Sequence, residues 1–162
     1  MSISKKSDFL LSTLMWTWGA TLYFFMEVIY KSIIGHQNQI SWTMIIVAFI
    51  LCIPLERFGD ELPWEMPMVL QCLISCVAIT VTELIAGLIL NVWLGLNVWN
   101  YSELPFNFMG QICLQFSALW FVLSFFGIKA FDWIRYTILG GIKPKYKMFK
   151  KCVIDEKIEK IQ

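Results

Sequence analysis

The sequence predicts an all-α integral membrane protein: a polytopic bundle of four transmembrane helices with a short cytoplasmic amphipathic C-terminal helix. Three observations predict it. The 162 residues are 58% hydrophobic and only 15% charged, against about 25% charged in a soluble domain. The charges are segregated into Lys5, Lys6 and Asp8 at the start, an acidic cluster from Glu56 to Glu65, and a basic tail after Lys129. Between these blocks lie apolar runs that meet or approach the ~20 residues a helix needs to cross the hydrocarbon.

The first span is expected at about 9–30. Its apolar run is too long for a signal-peptide core and lacks a small-x-small cleavage site, so it reads as a retained helix. The second, at about 39–55, is short and closes at Pro54. The third is expected at about 66–92 and the fourth at about 107–126, where Pro105 and Phe106 lead into Asn107 as a candidate N-cap. Residues 1–130 then form the membrane domain and 131–162 a basic cytoplasmic tail. From Lys143 to Gln162 the tail has the pattern of an amphipathic helix, with Met148, Cys152 and Ile158 on one face. Trp16, Trp18, Trp42, Trp64, Trp93, Trp99 and Trp133 are candidates for interfacial belts.

Lysine and arginine placement sets the orientation. With four spans, the side that holds both termini carries Lys5, Lys6, Arg57 and nine basic residues from Lys129 onward, while the other side carries only Lys31. Both termini are therefore expected in the cytoplasm. A net charge of +1 argues against capture of nucleic acid. The expected partner is the lipid bilayer, and the basic tail can touch anionic lipid. The five cysteines form no CxxC pair and read as small packing residues. With His36 the lone histidine, neither a metal site nor a cofactor is expected.

Two carboxylates lie inside apolar sequence, Glu27 in TLYFFMEVIY and Glu83 in AITVTELIAGLIL. A charged group at mid-bilayer costs roughly 2.5–3.5 kcal/mol on insertion scales, so it is kept only where it faces a partner, a cavity or a pathway. Glu27 precedes Lys31 by four residues, the favourable order for a helical ion pair. Glu83 has no basic residue within a turn and must be protonated, bonded across helices or wetted. Both fall toward the outer leaflet, where Asn91, Asn107, Gln111 and Gln115 also collect. Cys76, Thr80, Glu83 and Gly87 share a small-residue stripe that suits a central helix. A second stripe of Asn107, Gln111, Gln115 and Ala118 would face it across an outward polar pocket, or serve as helix-to-helix glue. The intervening loop carries Trp99, Asn100, Tyr101 and Phe106 and is expected in the headgroup region or folded over the cavity.

From Thr82 to Trp120 the chain carries an ordered series of short matches: ELIAG at Glu83–Gly87, WNYS at Trp99–Ser102, PFN at Pro105–Asn107, GQIC at Gly110–Cys113 and FSALW at Phe116–Trp120. On these it resembles the putative ABC-transporter type IV, or CmpB-like, family of bacterial multi-pass membrane proteins. The amino-terminal half departs from the glycine-rich pattern of longer members. The resemblance implies a transport-related protein of the bacterial cytoplasmic membrane. No GxxxxGK[ST] loop is present, so nucleotide binding of the P-loop kind is not expected.

Three functions fit these residues. One is a transport or channel component, with Glu83 meeting an ion, a proton or a small polar solute, and a homo-oligomer completing the pathway. Another is an intramembrane enzyme or binder of a lipid-type substrate, with Glu27, Glu83 and His36 as acid–base groups. No recognisable catalytic constellation supports it. The last is a non-catalytic scaffold or partner subunit whose polar stripes are packing glue.

Overall fold

A computed structural model describes residues 5–35, 40–61, 66–139 and 143–149. Four long helices make up most of it: α1 (Lys5–Ile33), α2 (Thr43–Glu61), α3 (Met68–Gly87) and α4 (Leu114–Leu139). A π-helical turn, Leu88–Trp93, extends α3. A two-stranded hairpin, β1 (Asn107–Phe108) and β2 (Ile112–Cys113), precedes α4.

Side-chain contacts give an up-down-up-down arrangement. Trp16 of α1 packs with Cys52 of α2, while farther along α1 Tyr23 and Phe24 pack with Met44 at the start of α2. Ile79 of α3 meets Val47 and Leu51 of α2, and Met68 and Cys72 meet Ile128 of α4. α2 packs against α1, α3 and α4. It is therefore α2 that sits centrally, rather than the small-residue third helix; the Cys76–Gly87 stripe is instead the seam between α3 and α4.

α1 buries Leu11, Met15, Trp16 and Ala20 on one stripe and exposes Leu14, Trp18, Leu22, Phe25 and Met26 on the other. α3 and α4 likewise expose Leu73, Val77, Val81, Ile85, Leu119, Val122 and Phe126. Helices apolar on both their packed and exposed faces suit hydrocarbon surroundings, where backbone polar groups are satisfied within the helix. Three stretches are long and apolar enough to cross a membrane: Asp8–Ile33, Met68–Trp93 and Leu114–Ile138. α2 is not among them. Its apolar run Thr43–Leu55 is only about 20 Å long at 1.5 Å per residue, against a core of about 30 Å.

Three boundaries differ from those the sequence predicts. α2 does not close at Pro54 but runs on to Glu61, with Pro54 inside it. The fourth helix begins at Leu114, not at residue 107, and runs to Leu139, past residue 126. Asn107 is a strand residue rather than an N-cap. The described part of the tail, Lys143–Phe149, is extended or bent rather than helical. Its backbone carbonyls accept hydrogen bonds from the first turn of α3, at Met68 N to Lys147 O (2.9 Å) and Val69 N to Met148 O (3.3 Å). Those N–H groups lack helical partners at a helix start, and the bend at Met148 and Phe149 lets two successive carbonyls reach them. The rest of the expected amphipathic helix, with Cys152 and Ile158, lies outside the described residues.

The chain continues past Pro54 because Glu56, two residues on, finds a cation inside the bundle. Glu56 is fully buried. It accepts from Ser12 Oγ (3.1 Å), Trp16 Nε1 (3.3 Å) and Arg135 Nε (2.6 Å), and Arg135 Nη2 also pairs with it. Arg135 reaches Asp8 at 2.7 Å as well. One guanidinium thus ties α1, α2 and α4 together at the end where the tail docks, using the planar fork that lysine lacks. Breaking a buried ion pair from one side strands the other charge, at about 3–5 kcal/mol. Arg135→Gln is expected to lower stability by that order in thermal unfolding of the detergent-solubilised protein; a melting midpoint equal to wild type would show that the network is not holding the bundle.

Candidate functional site

At the opposite end, the third helix widens into the π turn and the chain folds back over the bundle. Asn91, in that turn, accepts Val98 N at 2.7 Å and donates to Gln111 Oε1 at 2.9 Å. π turns are often found at functional sites. Here the wider turn carries the residue that grips the returning loop. Lys31, at the end of α1, is buried; it pairs with Glu27 at 2.7 Å and donates to Val98 O at 2.9 Å. Both backbone polar atoms of Val98 are therefore held by side chains from two different helices.

Local backbone chemistry shapes the rest of the loop. Gln111 N donates to Phe108 O, closing a turn with positive φ at both central residues, Met109 (53°) and Gly110 (68°). That is the hairpin turn which follows strand twist. A Cβ on Gly110 would stand 2.9 Å from Asn100 Oδ1, so glycine is needed for space as well as for φ. Asn107 braces the turn, donating to Leu104 O (2.7 Å) and Ser102 O (3.2 Å) and accepting Gly110 N (3.1 Å). Trp99 is buried and donates its indole N–H to Gln111 O at 3.0 Å.

Beneath the loop lies Glu83, 5% exposed. Trp120 Nε1 of α4 donates to its Oε2 at 2.9 Å, and the Tyr101 hydroxyl donates to its Oε1 at 3.2 Å. Tyr101 stacks on Phe116 with ring centroids 4.6 Å apart. Burial first, then the neighbouring Glu83 charge, pushes its phenol well above the ordinary range, so it remains a donor. Tyr23 of α1 stacks on Trp120 at 5.7 Å and donates to Glu27 Oε2 at 3.4 Å. Two carboxylates from α1 and α3 are thus joined through aromatic rings.

The α3–α4 seam runs away from Glu83 in both directions. Thr80 Oγ1 bonds Ser117 Oγ at 3.3 Å and Cys76 Sγ donates to Ser117 O at 3.1 Å. Gly87 lies under Gln111, whose Oε1 would be 2.6 Å from a Cβ there.

Of the residues singled out in the sequence, Glu27, Glu83, Asn91, Gln111, Trp99 and Tyr101 come together at this end. Asn107 and Asn100 bond within the loop and shape it. Gln115 is exposed on α4 and Phe106 is 81% exposed. The stripe Asn107–Gln111–Gln115–Ala118 is not a helix face, because its first two members precede α4. Tyr101 of the loop and Trp120 of α4 meet Glu83, in place of a second polar stripe, and Val98 and Trp99 of the loop are buried. Trp18, Trp42, Trp93 and Trp133 are exposed; Trp16 and Trp99 are buried hydrogen-bond donors, and Trp64 and His36 lie outside the described residues.

Sequence reasoning did not single out Tyr23, and it met Trp120 only within the FSALW match at Phe116–Trp120. Their signal was chemical: a buried indole or phenol needs an acceptor, and Glu83 and Glu27 offer them to Trp120 and Tyr23 respectively. Among the described residues, no group of three or more His, Cys, Asp or Glu residues is placed to hold a metal ion.

The family model described as "Putative ABC-transporter type IV" matches residues 44–154. No curated protein and no solved structure matches the chain.

Asn91→Leu removes the clamp on Val98 N and strands a buried donor, at about 1–3 kcal/mol. Limited proteolysis in detergent is expected to cut residues 94–106 faster in this variant than in wild type. Unchanged cleavage would mean that the loop is held elsewhere.

Proposed function

The chain belongs to the putative ABC-transporter type IV family, and from that premise we propose that it is a small membrane component of a transport system in which Glu83 exchanges a proton or a small cation. Three helices long and apolar enough to cross a membrane and the transporter-type family are consistent with a transport-related membrane protein. The finer reading takes α2 as a fourth, short span whose charged end is neutralised by Arg135. Both termini are then cytoplasmic by the positive-inside rule, with the segment after α4 a basic tail, and Glu83 faces the outer half of a bacterial cytoplasmic membrane. Four spans are few for an alternating-access path, so the pathway is completed by a homo-oligomer.

The observation that carries this reading is the contrast between Glu83 and the other two glutamates that side chains of the bundle hold, half-buried Glu27 and buried Glu56. Glu27 and Glu56 each have a basic partner. Glu83 is held by an indole and a phenol, both neutral. A carboxyl group held by neutral donors can exchange a proton for a cation without breaking an ion pair. Its charge is compensated only by what it binds, as expected of a pathway residue inside a membrane. Tyr101 belongs to the loop and Trp120 to α4, so uptake at Glu83 is linked to movement of the loop that covers it.

Proteoliposomes loaded with a pH-sensitive dye or a sodium or potassium indicator test this directly. Wild type is expected to carry a flux, and Glu83→Gln, which keeps the size and one of the two acceptor oxygens, to lower it by at least tenfold while eluting as wild type does. Equal fluxes in the two proteins, or none above empty vesicles for any of the three cations, would refute the role of Glu83.

A further inference from the structure

The docked tail presents a row of charge at a defined depth. Lys147 O and Met148 O are fixed to the first turn of α3. The Tyr146 hydroxyl donates to Asp132 of α4. Burial, then this hydrogen bond, pushes the phenol above its ordinary value, so it keeps the proton it donates. Extended backbone turns successive side chains to opposite faces. Pro144 and Tyr146 accordingly face inward and are half-buried, while Lys143, Lys145 and Lys147 are exposed. Among the described residues, no ion pair involves these three lysines. Phe149, next beyond them, is 81% exposed.

The depth follows from the docking. Met68 opens the apolar stretch Met68–Trp93, and it is Met68 and Val69 that hold the strip. The lysine row therefore stands where hydrocarbon gives way to headgroups. We propose that Lys143–Phe149 is a binding surface for anionic phospholipid headgroups, with the three lysines on lipid phosphates and Phe149 in the interface. Lysines contribute strongly hydrated, compact charges suited to a phosphate surface. An aromatic side chain beside them is an interfacial anchor. Because the strip is pinned by backbone bonds and by Tyr146, the charges are presented in one plane rather than scattered over a free end. This inference is independent of the role of Glu83.

Native mass spectrometry of the full chain in neutral detergent, titrated with phosphatidylglycerol or phosphatidylcholine, tests it. Wild type is expected to retain phosphatidylglycerol in preference to phosphatidylcholine, and added salt to weaken that preference. The K143Q/K145Q/K147Q variant should lose it, by roughly fivefold per lysine, with an unchanged circular dichroism spectrum. Tyr146→Phe keeps all three lysines but loosens the strip, and should show an intermediate preference. The same lipid preference in the triple variant as in wild type would overturn the proposal. So would full displacement of the lipid by equimolar glycerol phosphate, which would assign the lysines to a soluble phosphate instead.

Discussion

A carboxylate removed from water must keep a partner, and most of the non-random packing in this protein follows from how three glutamates meet that demand. Glu56 meets it with Arg135, and in doing so joins α1, α2 and α4. Glu27 meets it with Lys31, which then uses a second donor to hold the backbone of the loop. Glu83 meets it with Trp120 and Tyr101. The first two solutions are ion pairs that fix structure. The third is a carboxyl group with which, among the described residues, no basic side chain pairs.

The two ends of the bundle are consequently different in kind. At one end a guanidinium bridges two acids, and the tail supplies carbonyls to the start of α3. At the other, a loop with three non-glycine residues at positive φ is held by amide and ammonium groups aimed at its backbone. Left-handed conformations are uncommon at residues such as Phe106 and Met109, whereas Asn97 is of a type that tolerates them. They persist because Asn91, Lys31 and Gln111 over-determine the path of the chain. That loop delivers Tyr101 to Glu83, so the coordination of the carboxyl group depends on contacts well removed from it.

Much of this was legible in the sequence. The apolar runs located the four helices, and the isolation of Glu83 and the Glu27–Lys31 spacing marked one end of the bundle. The spacing of Asn107, Gln111 and Gln115 imitated a helix face. What overrode it was a turn around Gly110, whose φ and crowding against Asn100 belong to tertiary structure. Pro54 was a sound local stop signal, but Arg135, far along the chain, made it favourable for α2 to continue through Glu56. The periodicity of Met148, Cys152 and Ile158 suggested a helix, yet the unpaired N–H groups at the start of α3 hold the described part of that segment extended. In each case a long-range partner outweighed a local preference.

The central claim is that Glu83 trades a proton with the aqueous phase while Glu27 and Glu56 stay in their ion pairs. Infrared difference spectroscopy of the full chain in lipid, recorded through a pH titration in H2O and D2O, is the most direct measurement of it. All twelve acidic side chains contribute carboxyl bands, so the informative signal is the difference between wild type and Glu83→Gln: the expected result is one titrating, D2O-sensitive carboxyl carbonyl band present in wild type and missing from the variant. Identical titrating bands in the two proteins would contradict it.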